Sequence, residues 1–376
     1  MHTSSILITC AKGISPFLKN ELVGRGFPIR SEKTAGVETY GTLADCMRLN
    51  LALRTAHRVL FQLDASFAKQ AEDLYERVAA VAWEDFVPED GYLCVTASVE
   101  QEGIRDVRYA ALKCKDAIVD RLRQKTGRRP DSGPERRGTV VHLYWKDDRC
   151  VLYLDTSGEP LSRRGYRKIP LEAPMQETLA AAVVFATSWD GSSAFINPMC
   201  GSGTLAIEAA LMGLGREPGL LRSNFGFMHL KGFDEKAWKD MRDRARTESR
   251  KSLSGKIIAT DINPIAVDAA RKNAATAGVE HVIEFSACSF EDTAVPEGAG
   301  VIVLNPEYGE RMGDRSELEG VYKRIGDYFK KKCTGYTGYV FTGSPKLAKR
   351  VGLKPKQRWE FFNSNIQCRL LEYDLY

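Results

Sequence analysis

Between Ser193 and Gly343, short apolar runs alternate with helix-length amphipathic runs: SAFINP, then LAIEAALMG; KIIATD, then NPIAVDAARKNAATAG; GVIVLNPE, then SELEGVYKRIGDYFKK; and finally GYTGYVFTG. Apolar runs of this length read as buried strands. Repeated strand–helix alternation leaves one economical solution, a mostly parallel, doubly wound α/β sheet with helices on its faces. In such sheets ligands gather at the carboxyl ends of the strands, so the residues that end these runs are the candidate site.

The first 156 residues follow another rhythm. SSILITCA reads as a strand, and SPFLKNELVGRG as a helix with Ser15 as cap and Pro16 in its first turn. Asp106–Gly127 is the longest helical pattern. TVVHLYW and CVLYLDTSG form a strand pair joined by KDDR. This is α+β organisation with hairpins. The segment Ser157–Met175, with three prolines and four cations spaced between Arg163 and Lys168, is too broken for a long regular element and reads as a linker. A stretch around residues 214–255 interrupts the alternation as an insertion carrying a loop and a charged helix.

Nine scattered cysteines without a C-x-x-C pair, and five histidines, argue against a zinc site and a disulfide framework. No long apolar run predicts a membrane span, the start MHTSSILITC lacks a signal-peptide pattern, and a reducing cytoplasm is the expected setting. The net charge of +5 is weak evidence for a polyanionic partner.

Three strand ends carry the chemistry. The first runs from Asn197 and Pro198 into Cys200, Gly201, Ser202, Gly203 and Thr204 at a helix start. Glycines there let the backbone approach a ligand, and the free N–H groups of the helix favour its anionic end. A tight turn alone would also account for them. The second ends at Asp261, placed to accept hydrogen bonds from a ribose diol; the alternative, capping the next helix, already falls to Asn263. A full G-x-G-x-x-G and a Walker lysine are both missing, which argues against a dinucleotide and ATP. The third is LNPEY. Asn305 and Pro306 present an amide oxygen and a backbone carbonyl to one exocyclic amine, and Tyr308 offers a face for a flipped-out base. Two acceptors aimed at an aromatic amine favour a pyramidal nitrogen with a usable lone pair, without a strong base.

NPMCGSGT, ATDINPIAVDAARKNA and LNPEYGER together resemble motifs of class I S-adenosylmethionine-dependent methyltransferases acting on exocyclic amines. SGEPLSRRGYRK and MQETLAAAVV are similar to the linker and pre-motif helix of THUMP-containing enzymes that make N2-methylguanosine in large-subunit (23S) ribosomal RNA, a family often labelled N6-adenine-specific DNA methylases. The resemblance implies a Rossmann-like methyltransferase domain at 176–376 after a linker at 157–175. It also implies a THUMP RNA-binding domain at 61–156 and a ferredoxin-like subdomain at 1–60. It implies Cys200–Gly203 on the methionine side of S-adenosylmethionine, Asp261 on its ribose, Ile262 against its adenine, and Asn305, Pro306 and Tyr308 on the target base. Arg311 matches the family's G-E-R. The sequence departs from the pattern at Asn197, where an acid is usual, and at Cys288, where an aspartate is usual and adenine recognition passes to backbone, Ser289 or a shifted Asp292. It departs again at Glu307, where a proline is usual and the side chain is expected to pair with Arg311 or meet the base. An adenine-N6 DNA methyltransferase, and a degenerate domain that binds without catalysis, remain as alternatives.

Arg121–Gly138 has seven cations against two acids, including Arg128, Arg129, Arg136 and Arg137; Arg163, Arg164, Arg167 and Lys168 follow around Tyr166. These are the expected contacts to RNA phosphates, the other reading being a solvated surface. The basic run KLAKRVGLKPKQRW is expected to be surface.

Overall fold

The computed structural model describes residues 3–104, 106–169, 171, 174–308 and 315–376. The chain forms two compact units, one of Met1–Cys10, Leu18–Arg163 and Arg222–Arg244, the other of Ala11–Phe17, Arg164–Leu221 and Ala245–Tyr376.

The first unit is built on β1 (Ser4–Thr9), β2 (Ser31–Lys33), β3 (Gly36–Gly41), β4 (Arg58–Phe67), β5 (Tyr92–Glu100), β6 (Asp131–Ser132), β7 (Thr139–Lys146) and β8 (Arg149–Asp155). They form one sheet in the order β2-β3-β1-β4-β8-β7-β5-β6. The expected hairpin is there: β7 and β8 pair antiparallel around Asp147, whose φ of 49° makes the tight turn. Helices α1 (Ser15–Gly24), α2 (Leu43–Ala52), α3 (Ala71–Ala80) and α4 (Val107–Thr126) complete the α+β pattern. α4 starts where Asp106 caps its first turn and stops where Gly127 turns left-handed at φ 74°.

The insertion folds into this unit. Phe225, Phe227 and Trp238 are buried; the two Phe rings stack and Trp238 meets both edge-on. Their segment is sewn to the sheet by Phe227 N–H donating to Thr156 O (3.0 Å), Thr139 Oγ1 to His229 O (3.0 Å) and Arg222 Nη2 to Ser157 O (3.1 Å). Residues 1–163 produced without 222–244 should therefore lose on the order of 5 kcal/mol, taking about 1.5–3 kcal/mol per buried aromatic. Thermal unfolding should show it. Tethering 222–244 back should restore the transition; an unchanged Tm without it would contradict this packing.

The second unit holds α5 (Glu177–Ala186), β9 (Ala194–Pro198), α6 (Thr204–Gly213), α7 (Glu235–Glu248, whose first ten residues lie in the first unit), β10 (Ile257–Asp261), α8 (Pro264–Ala277) and β11 (Ile283–Ala287). It continues with β12 (Gly300–Leu304), α9 (Arg315–Lys332), β13 (Thr337–Thr342), α10 (Pro345–Ala348), β14 (Gln357–Asn363) and β15 (Ile366–Asp374). The sheet order is β11-β10-β9-β12-β13-β15-β14, the first five strands parallel and the last two forming an antiparallel hairpin. The expected doubly wound sheet is thus present, with a hairpin appended at one edge. Its core joins Ile196, Ile302, Leu304 and Val340 of the strands to Tyr322, Ile325 and Phe329 of α9. α6 is buried on almost every side, as its mostly apolar sequence requires, with Glu208 the one charge in it. The turn at Gly13 (φ 84°) belongs here, because any Cβ on Gly13 would lie 2.2 Å from Glu360 O of β14. The strand order reverses between β9 and β12, and that reversal opens the crevice in which such sheets bind ligands.

Among the described residues, no helix is long and apolar enough to cross a membrane, and no cluster of three or more His, Cys, Asp or Glu could hold a metal.

Candidate active site

The glycine loop follows β9 directly. Met199, Gly201 and Gly203 have φ of 58°, 54° and 84°, so the chain coils tightly before α6. A Cβ on Gly203 would come within 2.9 Å of Ala270 Cβ, which shows how closely α6 and α8 approach. The loop is tied to β10 by Cys200 N–H to Thr260 O (2.8 Å) and Gly201 N–H to Asp261 Oδ2 (2.9 Å). Asp261 Oδ1 accepts from Asn263 N–H at 3.0 Å, so each carboxylate oxygen has one internal partner and a second lone pair to offer. Asn263 Oδ1 accepts from Ile265 N–H and caps α8, so Asp261 is not needed as the cap.

Ile262 and Ile265 stand 77% and 69% exposed beside Asp261, an apolar pair suited to one face of a planar base. Ile265 went unforeseen; its sequence signal is an isoleucine directly after the capping Asn-Pro. Cys288 N–H donates to Asp261 O (3.0 Å), so the residue at the expected aspartate position supplies backbone order. Ser289 caps a short 3-10 turn with its hydroxyl, accepting from Glu291 N–H at 3.4 Å. Burial pushes the Cys200 thiol up, so it stays protonated.

Asn197 departs from the acidic pattern for a visible reason. The β9–β12 ladder ends at Ile196–Ile302, and Asn197 Nδ2 then donates to Val303 O at 2.9 Å, carrying the pairing one step further with a side chain. A carboxylate could not donate there. Asn197 is fully buried, and its Oδ1 has no hydrogen-bond partner. Asn197→Asp should therefore weaken activity and cost roughly 1–3 kcal/mol, because it buries a charge against a carbonyl. Denaturant unfolding and methyl transfer would check this, and a gain in both would refute it.

At the end of β12, Asn305 Oδ1 is likewise buried and without a partner among the described residues, and Pro306 is buried behind it. The Tyr308 ring lies against Gly343, where a Cβ would come within 2.7 Å of Cδ2, and edge-on to Phe341 at 6.3 Å. Its hydroxyl accepts from Asn363 Nδ2 at 3.0 Å, and burial holds the phenol neutral. Asn363 is on β14, 55 residues away, and no local sequence signal marks it. If Asn363 acts by fixing the ring, Asn363→Ala and Tyr308→Phe should each slow transfer by a similar factor, and the double variant should be no slower than either. Additive losses in a double-mutant cycle would rule that out. Glu307 is exposed; Arg311, its suggested partner and a candidate RNA contact, lies outside the described residues.

Two expectations need correction. Arg164 is only 1% exposed: its Nε and Nη2 donate to the two oxygens of Glu208, itself fully buried on α6, at 3.3 Å, and Tyr166 OH donates to the same carboxylate at 3.0 Å. Arg167 turns inward to Glu177 (3.3 Å), Met175 O (2.7 Å) and Thr204 Oγ1 (3.2 Å). These cations brace the second unit and are not presented to phosphates; Thr204 Oγ1 accepts from Arg167 Nη2. Burial forces each of them to find an internal partner. Lys168 is exposed, its backbone N–H held by Asn273 Oδ1 (2.9 Å); Asn273 Nδ2 also reaches Ser202 O (3.2 Å), joining linker and glycine loop.

In the first unit the basic stretch does face solvent. Arg128, Arg129 and Arg137 are exposed and Arg136 is half-buried, while Arg163 is exposed beside Glu159. Arg128 is 3.7 Å from Glu89, and Arg137 sits over the Tyr92 ring.

A seven-stranded sheet with this order, a glycine loop after β9, an acid after β10 and Asn-Pro-x-Tyr after β12 define a class I methyltransferase, the class that draws its methyl group from S-adenosylmethionine. The model of the RMKL-like methyltransferase domain matches residues 164–372, that of the RlmL ferredoxin-like domain 5–60, and that of the THUMP domain 68–155. The chain belongs to the RMKL-like methyltransferase family.

Its relatives include the ribosomal RNA large subunit methyltransferase K/L of Syntrophotalea carbinolica, 37% identical over 98% of this chain and 53% of that protein. The protein of the same name from Pseudomonas aeruginosa is 35% identical over 97% and 52%. The chain thus spans about half the length of the curated relatives it matches. Among solved structures, SMU.472 in complex with SAH superposes with a TM-score of 0.91 at 26% identity, over 100% of this chain and 99% of that one. A protein from Listeria monocytogenes described as a predicted N6-adenine-specific DNA methylase gives 0.89 at 30% identity, over 99% and 96%.

Proposed function

We propose that this chain is an S-adenosylmethionine-dependent RNA methyltransferase of the cytoplasm that methylates the exocyclic N2 of a guanine in large-subunit ribosomal RNA. The observation that carries the reading is Asn305 Oδ1, a buried acceptor without a partner among the described residues, at the end of β12 and close in sequence to Tyr308. An orphaned buried oxygen costs about 1–3 kcal/mol, and a substrate amine would relieve it.

The cofactor fits the residues present. Cys200–Gly203 would hold its methionine side, with Asn197 Oδ1 as a buried acceptor nearby in sequence. Asp261 would take the ribose hydroxyls, and Ile262 and Ile265 would cover the adenine, with Cys288 and Ser289 at its edge. When bound, S-adenosylmethionine supplies an electrophilic methyl group. On the protein's side, Asn305 Oδ1 and the Pro306 carbonyl accept from the two amine hydrogens and turn the nitrogen lone pair outward; Tyr308 stacks on the flipped base. Arg128, Arg129, Arg136, Arg137, Arg163 and Lys168 would neutralise RNA phosphates. The names of the curated relatives and the THUMP match support RNA over DNA.

Titration calorimetry with S-adenosylmethionine, followed by labelled methyl transfer to rRNA and to DNA and mass spectrometry of the nucleosides, tests this. N2-methylguanosine in rRNA is the expected product. No cofactor binding would reject the enzyme, and N6-methyladenine in DNA would reject the substrate.

A further inference from the structure

Arg164 and Arg167 of the second unit turn inward, and Lys168 alone is a short contact for an RNA strand, which raises the question of what else on that unit meets the RNA. Resting on the RNA reading above, we propose that Pro345–Arg358 is a track for the RNA backbone beside the target-base pocket. Residues 345–359 hold six cations and no acid.

The segment is anchored rather than loose. Leu347 and Val351 are 5% and 1% exposed and pack into the core with Tyr322, Ile325 and Phe329. The backbone sits directly on α9, since a Cβ on Gly326 would fall 1.8 Å from Val351 O. Arg350 pairs with Glu319 of α9 at 2.7 Å. Lys356 likewise pairs with Asp374 (3.0 Å) and Glu372 (3.7 Å).

With the apolar side pinned, Lys346, Lys349 and Lys354 stand exposed, and none has a carboxylate partner among the described residues. Lys346 and Lys349 share one helical face at i, i+3 spacing. Lys330 of α9 joins them, its Nζ 3.6 Å from where a Gly352 Cβ would lie. The row begins at the pocket: Ser344, which caps α10, follows Gly343, and Gly343 is the residue against the Tyr308 ring. A nucleotide flipped onto Tyr308 would carry its flanking phosphates past these amines. Amines without carboxylate partners on a fixed frame suit phosphates of any sequence, so they position the strand and do not read it.

The test measures the salt dependence of binding to in-vitro-transcribed large-subunit rRNA. Lys346→Gln/Lys349→Gln/Lys354→Gln should flatten the slope of log K against log salt by about 2–3, near 1 for each lysine. The activity loss should fall in KM for RNA, and calorimetric affinity for S-adenosylmethionine should stay at the wild-type value. Lys256→Gln/Lys272→Gln, which removes two exposed lysines paired with Glu284 and Asp268, should leave the slope unchanged. An unchanged slope in the triple variant, or an equal change in the control, overturns the track while the RNA reading stands. If the wild-type protein itself neither binds nor methylates rRNA, the proposed function falls and the track with it.

Discussion

Asn305→Ala should slow methyl transfer by about 10²–10³-fold, roughly 2.7–4 kcal/mol, the range seen when one preorganised polar group is removed from a transition state. The Oδ1 atom has no partner to lose among the described residues, so the folded chain gives up little stability and gains slightly by shedding an orphaned acceptor. S-adenosylmethionine affinity should also hold, because the proposed cofactor residues lie at or after the ends of β9, β10 and β11 rather than β12. The pattern to look for is a collapse of kcat with an unchanged calorimetric Kd and an unchanged or higher Tm. Equal losses in affinity and rate would make Asn305 a structural residue. Unchanged activity would remove the Asn-Pro-x-Tyr reading altogether.

Glu208→Ala should destabilise the second unit by about 3–5 kcal/mol, the cost of leaving a buried charge without its partner. Arg164 is 1% exposed, and both its Nε and Nη2 donate to this carboxylate. Tyr166, also 1% exposed, donates to it as well, its phenol kept protonated by burial and by the neighbouring carboxylates. For a unit of this size the loss corresponds to roughly 6–20 °C in Tm. The sharper check is Arg164→Met/Tyr166→Phe/Glu208→Leu, which removes every member together. Buried ion pairs replaced whole by apolar groups are often neutral or better, so this variant should recover most of the lost Tm. If it stays as unstable as Glu208→Ala, the network contributes something besides mutual satisfaction of its charges.

The parts legible in the sequence are those whose causes are local. Parallel strands announce themselves as apolar runs, and the ladders confirm β9, β10, β12 and β13. Gly201 and Gly203 mark a coiled turn because positive φ is cheap only for glycine. Asp261 could be set apart from a cap because Asn263 does the capping within two residues. Asn305 and Tyr308 follow a buried strand at the place where such sheets bind ligands.

Distance in sequence hid the rest. A cation's charge does not say whether a carboxylate 44 residues on waits in the core, so Arg164 read as surface and proved to be interior. The run from Lys346 to Arg358 read as surface and its cations are exposed, but the close packing of Val351 on Gly326 that anchors it depends on α9. Asn363 reaches Tyr308 only because β14 and β15 fold back beside β13. The insertion looked like an ornament of the second unit, whereas Phe225, Phe227 and Trp238 bury themselves in the first. By itself the sequence determined the buried strands, the glycine turn and the Asn263 cap, since turn geometry and strand patterning depend on near neighbours. Only the tertiary structure decided which charges face water and which aromatics meet, since burial is set by whatever the rest of the chain brings to the same place.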